Sequence, residues 1–318
     1  MFQNIYLIFN PVSGQGDPAT ELALIRKVIG ADRLTVLETT PEESAGALTR
    51  LALERSADCV VASGGDGTVS AVAGEMTATD IPLGIIPRGT ANAIAAAFGI
   101  SDNLEAACEA LLTGTPRKID IASCNRKPLL LLAGIGLEAE VVSQANRQLK
   151  NKIGSAAYIL SAFQQVKDLA TFQAELETPD KIITVEASGI TVANAAPATS
   201  VLAQGPSDVI PYDGLLDVTI FAPQGTGGAI AASYNLFQSA LSKHSSKRED
   251  IGYFRCSSIT ISTDPPQKIV LDGEMVGDTP LRAECLPRCL LIVTPQDGIF
   301  DPQEKLEGLP GLEIKYKD

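Results

Sequence analysis

Gly64, Gly65, Asp66, Gly67 and Thr68 set a carboxylate and a hydroxyl inside a glycine run. The run follows an apolar stretch over 58–63 and precedes a helical pattern over 69–76. At the end of a strand such glycines let the backbone turn tightly. Their N–H groups, with the first turn of the next helix, can cradle a phosphate. Asp66 places a carboxylate beside that phosphate, able to hold Mg²⁺ or accept a proton. A plain strand-to-helix turn with Asp66 as a helix cap accounts for the same five residues. The run is neither GxGxxG nor GxxxxGK[ST]. No Lys follows it, so backbone and Thr68 would hold the phosphate in place of a point charge.

Two further segments offer related groups. Asn10, Pro11, Val12, Ser13 and Gly14 supply an amide, a hydroxyl and backbone donors. The segment from Pro87 to Asn92 supplies Arg88, Thr90 and Asn92. Singly, each reads equally as turn chemistry. The elements that must position them alternate. A strand over 5–9 leads to a helix over 19–29, and a strand over 34–38 to a helix opened by Thr39, Thr40 and Pro41 and running to 55. The Cys59 strand leads to the helix over 69–76, and a strand over 81–86 to an alanine-rich helix. This alternation predicts a parallel sheet covered on both faces. Three of its four strands then end in these loops on one rim, where open α/β sheets bind ligands.

After residue 116 the texture changes. Apolar runs over 118–122, 129–133, 182–187, 190–193, 216–221, 258–262, 268–271 and 290–293 predict antiparallel strands of a sandwich. Helical insertions are expected over 139–169 and 227–241, and the segment 300–317 is expected to leave this domain. The domain reading is an α/β domain over 1–117, joined by a tail of about 300–318, and a β-rich domain over 118–299.

Composition narrows the function classes. A chain of 318 residues is long enough for two cores. Its 45% hydrophobic and 20% charged content fits a soluble protein. A net charge of −13 argues against nucleic-acid binding and against general adhesion to anionic lipid. The first residues read as a strand with no signal peptide, and no apolar run is long enough to span a bilayer. The six cysteines form no CxxC pair and the chain has one His, so a metal cluster is not expected and a cytoplasmic, reduced setting is.

Together the three loops resemble the diacylglycerol kinase catalytic domain. In order and length the chain is similar to soluble bacterial lipid kinases related to diacylglycerol and sphingosine kinases. Tyr212-Asp-Gly-Leu-Leu-Asp-Val218 and Leu271-Asp-Gly-Glu274 extend the likeness through nearly the whole chain. The resemblance implies an NAD-kinase/diacylglycerol-kinase-like α/β domain with an antiparallel sandwich, and ATP-dependent phosphoryl transfer to a lipid hydroxyl at a membrane surface. It implies nucleotide contacts from Asn10 to Gly14, from Gly64 through Val69 to Ser70, from Thr39 or Thr40, and from Thr90, with Asn92 in the same third loop. Asp272 is the implied proton acceptor with Glu274 close by, and Asp66 is the rival base. A structural Mg²⁺ is implied at Asp213 and at the carbonyl of Leu215. Two positions depart from the pattern: Ala93 stands where an Asp usually follows Asn92, and Ile210 where a polar residue often precedes Asp213.

A loose phosphoryl-transfer transition state asks for positioning and charge neutralisation more than covalent help, which suits these residue types. In a regular strand Asp272 and Glu274 face one side, whereas Asp-Gly alone reads as a hairpin turn. Lys243 to Arg248 and Arg147 to Lys152 are the basic clusters that could meet anionic headgroups. Two other functions remain open, an NAD kinase-like enzyme and a catalytically inactive nucleotide- or lipid-binding regulator. The sequence assigns no oligomeric state.

Overall fold

A computed structural model describes residues 2–14, 16–144, 170–197, 199–206, 208–242, 244–295 and 303–317. The chain divides into two compact units, Met1–Ile119 with Arg288–Ile299, and Asp120–Pro287 with Phe300–Asp318.

The first unit alternates β1 (Ile5–Phe9), α1 (Pro18–Ile29), β2 (Leu34–Glu38), α2 (Ala45–Glu54), β3 (Cys59–Gly64), α3 (Asp66–Met76), β4 (Leu83–Pro87), α4 (Ala93–Ala97) and α5 (Leu104–Thr113). The strands lie in the order β2–β1–β3–β4, all parallel, with Ile5 beside both Leu34 and Cys59. Every residue of β1 is buried, as expected of a strand covered on both faces. Ile5, Leu7 and Phe9 alternate onto one face, against Leu22, Ile25 and Ile29 of α1 and Cys108 and Leu111 of α5. The helix α1 starts where Asp17 accepts the Thr20 N–H at 2.9 Å and Pro18 fills the first turn.

Local chemistry moves several boundaries. The second helix begins at Ala45 and not at Thr39, because Thr40 Oγ1 accepts the N–H groups of Glu42 and Glu43 in a turn and Ser44 caps the helix. The third begins inside the glycine run, with Gly65 as its N-cap. The alanine-rich helix is only α4, and α5 follows with its own cap, Asn103 accepting the Ala106 N–H at 3.0 Å.

The second unit contains β5 (Thr115–Cys124, from Asp120 onward), β6 (Lys127–Leu129), β7 (Leu132–Gly136), α6 (Leu137–Gln144), β8 (Phe172–Glu177), β9 (Lys181–Ala187), β10 (Gly189–Ala193), β11 (Leu216–Phe221), α7 (Gly225–Ser242), β12 (Ile251–Cys256), β13 (Ser258–Asp264), β14 (Lys268–Leu271), β15 (Glu274–Asp278), β16 (Leu281–Thr294, to Pro287) and β17 (Glu313–Tyr316). One sheet runs β12–β11–β10–β7–β14–β15 and is antiparallel throughout. The other brings β17, β9, β8, β13 and the start of β16 together, also antiparallel. Inward residues of both sheets, among them Ile135, Ile190, Val218, Phe254, Leu176, Val185 and Ile261, make one core. The fold is thus a parallel α/β unit plus an antiparallel sandwich. Of the expected insertion over 139–169, residues 145–169 lie outside the described ones.

Two domain expectations are corrected. The apolar run 290–293 belongs to the first unit, where Ile292 pairs in parallel with Leu83; a strand buried on both faces has that continuous apolar texture. The tail does not return to the first domain. Among its described residues, 303–317, Ile314 pairs with Ile183 of β9, and Leu306, Leu309, Leu312 and Ile314 pack on the sandwich core. The apolar spacing of the tail suits that core, and Lys305 Nζ donates to the carbonyls of Arg248 and Ile251 at 2.6 and 2.8 Å.

Candidate active site

The three loops of the first unit meet at the carboxyl ends of β1, β3 and β4. Thr68 folds back under the glycine run and is buried. A Cβ on Gly64 would fall 2.5 Å from its Oγ1, which also accepts a hydrogen bond from Asn10 Nδ2 at 3.0 Å. Gly65 and Gly89 touch backbone to backbone: a Cβ on Gly89 would lie 2.6 Å from Gly65 Cα. Asp66 Oδ1 accepts the N–H of Ile94 at 2.9 Å, tying the start of α3 to the start of α4. Asn92, in the left-handed region at φ 49°, closes the third loop on itself. Its Oδ1 accepts the Gly89 N–H at 2.7 Å and its Nδ2 donates to the Gly89 carbonyl at 3.0 Å.

Arg88 is the residue whose role the sequence misreads. It does not offer its charge to a ligand; it is 5% exposed. Nε donates to Glu21 Oε2 at 2.7 Å, Nη1 donates to the Asn10 carbonyl at 2.9 Å, and the guanidinium lies 4.1 Å from the centre of the Phe9 ring. It ties the first loop to the third, and no spacing rule signals a partner as distant in sequence as Glu21.

These ties leave a shallow cleft of about 410 Å³ lined by Asn10, Ser13, Thr39, Gly65, Gly67 and Thr68, with Ala45 and Ala71 completing it. The first N–H groups of α3 have no acceptor within the helix and mark a place for an anion. Of the other expected nucleotide residues, Gly64 and buried Val69 support the floor, Val12 is 90% exposed, and Thr40, Thr90, Pro11, Gly14, Ser70 and Asn92 are not part of the lining. Ala45 and Ala71 escape notice in the sequence because only their small size matters.

In the second unit Asp272 and Gly273 form the two-residue turn between β14 and β15, with φ of 45° and 86°. The hairpin reading therefore holds, and Glu274 is an exposed first residue of β15. The Asp272 carboxylate accepts the N–H groups of Leu130, Leu131 and Leu132, each at 3.0 Å, which fixes its orientation.

Asp213 and Leu215 do not fit a structural Mg²⁺. Asp213 Oδ1 accepts the Leu215 N–H at 3.0 Å, and Oδ2 takes Arg255 Nη1 at 2.6 Å. Among the described residues no group of three or more His, Cys, Asp or Glu is arranged to hold a metal ion. Burial raises the Asp213 pKa, against the Leu215 N–H and Arg255. Nearby Asp217 is 2% exposed, and neither of its oxygens accepts a well-formed hydrogen bond, although the Ile210 N–H lies near enough to favour its charged form. Burial first, and then the Asp213 charge, push its pKa up to about 7.

Glu138 is a polar group the sequence reading passed over. Part of the residue reaches solvent, but its carboxyl lies over Gly134, where a Cβ would be 2.6 Å away, and Oε2 accepts from Thr191 Oγ1 at 2.6 Å. Desolvation raises its pKa to about 7, opposed by the Thr191 hydrogen bond.

The basic cluster over 147–152 and Lys243 lie outside the described residues. Arg248 is committed to Asp250 by two bonds of 2.7 and 2.6 Å, and is not a headgroup cation. No helix among the described residues is long and apolar enough to cross a membrane.

Comparison with known proteins gives matches for both units. Residues 4–124 match the model of the diacylglycerol kinase catalytic domain, and residues 132–294 that of the YegS C-terminal NAD kinase beta sandwich-like domain. An uncharacterized protein of Synechocystis sp. is 44% identical over 92% of this chain and 70% of its own. A Staphylococcus haemolyticus protein named "Putative lipid kinase SH2167" is 30% identical over 74% of this chain and 76% of its own. Among solved structures, "a putative diacylglycerol kinase from Bacillus anthracis str. Sterne" superposes with a TM-score of 0.77 at 28% identity, covering 92% of this chain and 97% of that one.

Proposed function

Because this chain belongs to the diacylglycerol kinase catalytic-domain family, we propose that it is an ATP-dependent lipid kinase moving the γ-phosphate of ATP to a lipid hydroxyl such as that of diacylglycerol. The observation that carries the reading is the cleft at the end of the parallel strands. It combines glycine backbone, a helix start and the side chains of Asn10, Ser13, Thr39 and Thr68. Its volume falls in the range of roughly 300–1,000 Å³ usual for small-molecule sites.

In this reading the N–H groups of Gly65 to Gly67 and the Thr68 hydroxyl face the phosphates, while Asn10, Ser13 and Thr39 hold the nucleoside side, beside the small Ala45 and Ala71. Asp66, anchored through Oδ1 to the Ile94 N–H, would help to hold the ion that accompanies the nucleotide. Mg²⁺ bound with ATP supplies neutralisation of charge on the β- and γ-phosphates. The lipid oxygen forms its bond to the γ-phosphorus as the bridging bond to the β-phosphate breaks and ADP leaves. A carboxylate takes the alcohol proton, and Asp272 is assigned that role because three N–H groups hold it in one orientation. Glu274 and Asp66 are the alternative acceptors. The protein acts at a membrane surface from the cytoplasm.

The test is transfer from γ-labelled ATP with Mg²⁺ to a panel of dispersed lipid alcohols, with NAD as a control acceptor. Label in one lipid is the expected result. Label in NAD would move the protein to the NAD kinase-like reading. ATP binding without transfer to any acceptor would leave a regulator and sink the enzyme reading.

A further inference from the structure

We propose that the guanidinium of Arg255 stands where a divalent cation would sit at the Asp213 turn, so that the second unit holds its fold without Mg²⁺. The proposal stands apart from the kinase reading, because none of its measurements involves nucleotide or lipid.

Strand register sets the position. Arg255 of β12 lies directly opposite Asp217 of β11 in the antiparallel ladder, four residues beyond Asp213. From there Nη1 reaches Asp213 Oδ2 at 2.6 Å, with both side chains about one-fifth exposed. Glu304 closes the other side: its Oε1 accepts the Arg255 backbone N–H at 3.2 Å and lies 4.0 Å from Nε. On the far side of the turn, Asp120 Oδ2 accepts the Gly214 N–H at 2.7 Å, and its own N–H donates to the Pro211 carbonyl at 2.8 Å. Asp213, Asp217 and Glu304 therefore gather around one arginine, with Asp120 holding the far side of the turn.

The chemistry favours the side chain over the ion. Arginine stays charged at any working pH, and its planar fork can face more than one carboxylate. Mg²⁺ requires oxygens at about 2.0–2.1 Å in octahedral array and gives up its waters reluctantly. Here one Asp213 oxygen is engaged by the guanidinium and the other by the Leu215 N–H. An incoming dication would have to displace the guanidinium of a residue held opposite buried Asp217 by strand pairing.

The experiment uses the full, nucleotide-free chain, with thermal unfolding and Mn²⁺ binding by electron paramagnetic resonance as readouts. The native protein should melt at the same temperature in EDTA and in millimolar Mg²⁺. It should also bind no Mn²⁺ that Asp213→Asn abolishes. Arg255→Gln should melt lower in EDTA, regain stability with Mg²⁺, and gain saturable Mn²⁺ binding that disappears when Asp213→Asn is added. A native Mn²⁺ site lost in Asp213→Asn, or a native melting point that falls in EDTA, overturns the proposal. So does a folded Arg255→Gln protein that gains no Mn²⁺ site. If Arg255→Gln does not fold, the native and Asp213→Asn measurements decide between the same two outcomes.

Discussion

Gly89→Ala tests whether the cleft depends on contact between two loops. The added Cβ would lie 2.6 Å from Gly65 Cα and 3.0 Å from Asn92 Oδ1, and the first of these neighbours is backbone that cannot rotate away. Carbon pairs settle at about 3.5–4.0 Å, so the glycine run and the third loop must part by roughly 1 Å. Overpacking of this kind costs about 1–3 kcal/mol of stability. Moving the backbone proposed to face the phosphates by the same distance should lower kcat/KM for ATP by about 100-fold. The assays are urea denaturation for stability, and nucleotide titration with steady-state kinetics for the site. Gly74→Ala is the control: it lies in α3, the helix that the glycine run opens, nothing is within 4 Å of its added Cβ, and it should stabilise by about 1 kcal/mol with activity retained. A Gly89→Ala protein with native stability and native ATP affinity would refute the claim that the two loops must touch.

Arg88→Ala removes the partner of Glu21, of the Asn10 carbonyl and of the Phe9 ring, and should destabilise by about 3 kcal/mol or more by denaturant titration; a loss under about 1 kcal/mol would show the tie to be decorative. Asp272→Asn should lower kcat while ATP affinity stays near native, and abolished ATP binding would remove Asp272 from the proton-acceptor role. Glu138 gives a pH signature. Its folded-state pKa of about 7 lies above the unfolded value of 4.5, so between these the unfolded chain binds fewer protons and stability falls as pH rises. The loss is complete above about pH 7 and amounts to at most roughly 3 kcal/mol. Glu138→Gln should flatten that slope in denaturation curves taken near pH 5 and pH 8, and an unchanged slope would place the titration elsewhere.

The strands of the first unit were legible because each is a short run that closes on a turn-forming residue, Asn10, Thr39, Gly64 or Pro87, a local signal. The convergence of their loops followed from parallel topology alone. What local pattern could not supply was distance. Nothing near Arg88 in sequence announces Glu21, so an arginine buried in an ion pair read as a charge supplied at the rim. The run 290–293 looked like its antiparallel neighbours, since a strand's texture reports burial and not its partner. Thr39, Thr40 and Pro41 read as the start of the second helix, and only the hydrogen bonds to Thr40 Oγ1 and the Ser44 cap move it to Ala45. For Asp213 the Asp-Gly-Leu segment is intact and Ile210 is the local departure, while the partner that occupies its carboxylate lies on another strand, at Arg255.

The tail strand β17 has a consequence for how the sheet meets other chains. It pairs with β9 through four residues, and Lys317 fastens its end with bonds to Glu177 Oε1 at 2.9 Å and to the Thr178 carbonyl at 2.7 Å. Without it, the seven residues of β9 would present a row of unpaired amides and carbonyls, a template for edge-to-edge association. With it, the outermost strand is short and carries Glu313 and Lys315, a margin poorly suited to recruiting another strand. A molecule clipped before Leu312 would trade that guarded margin for an adhesive one, so its first symptom would be self-association.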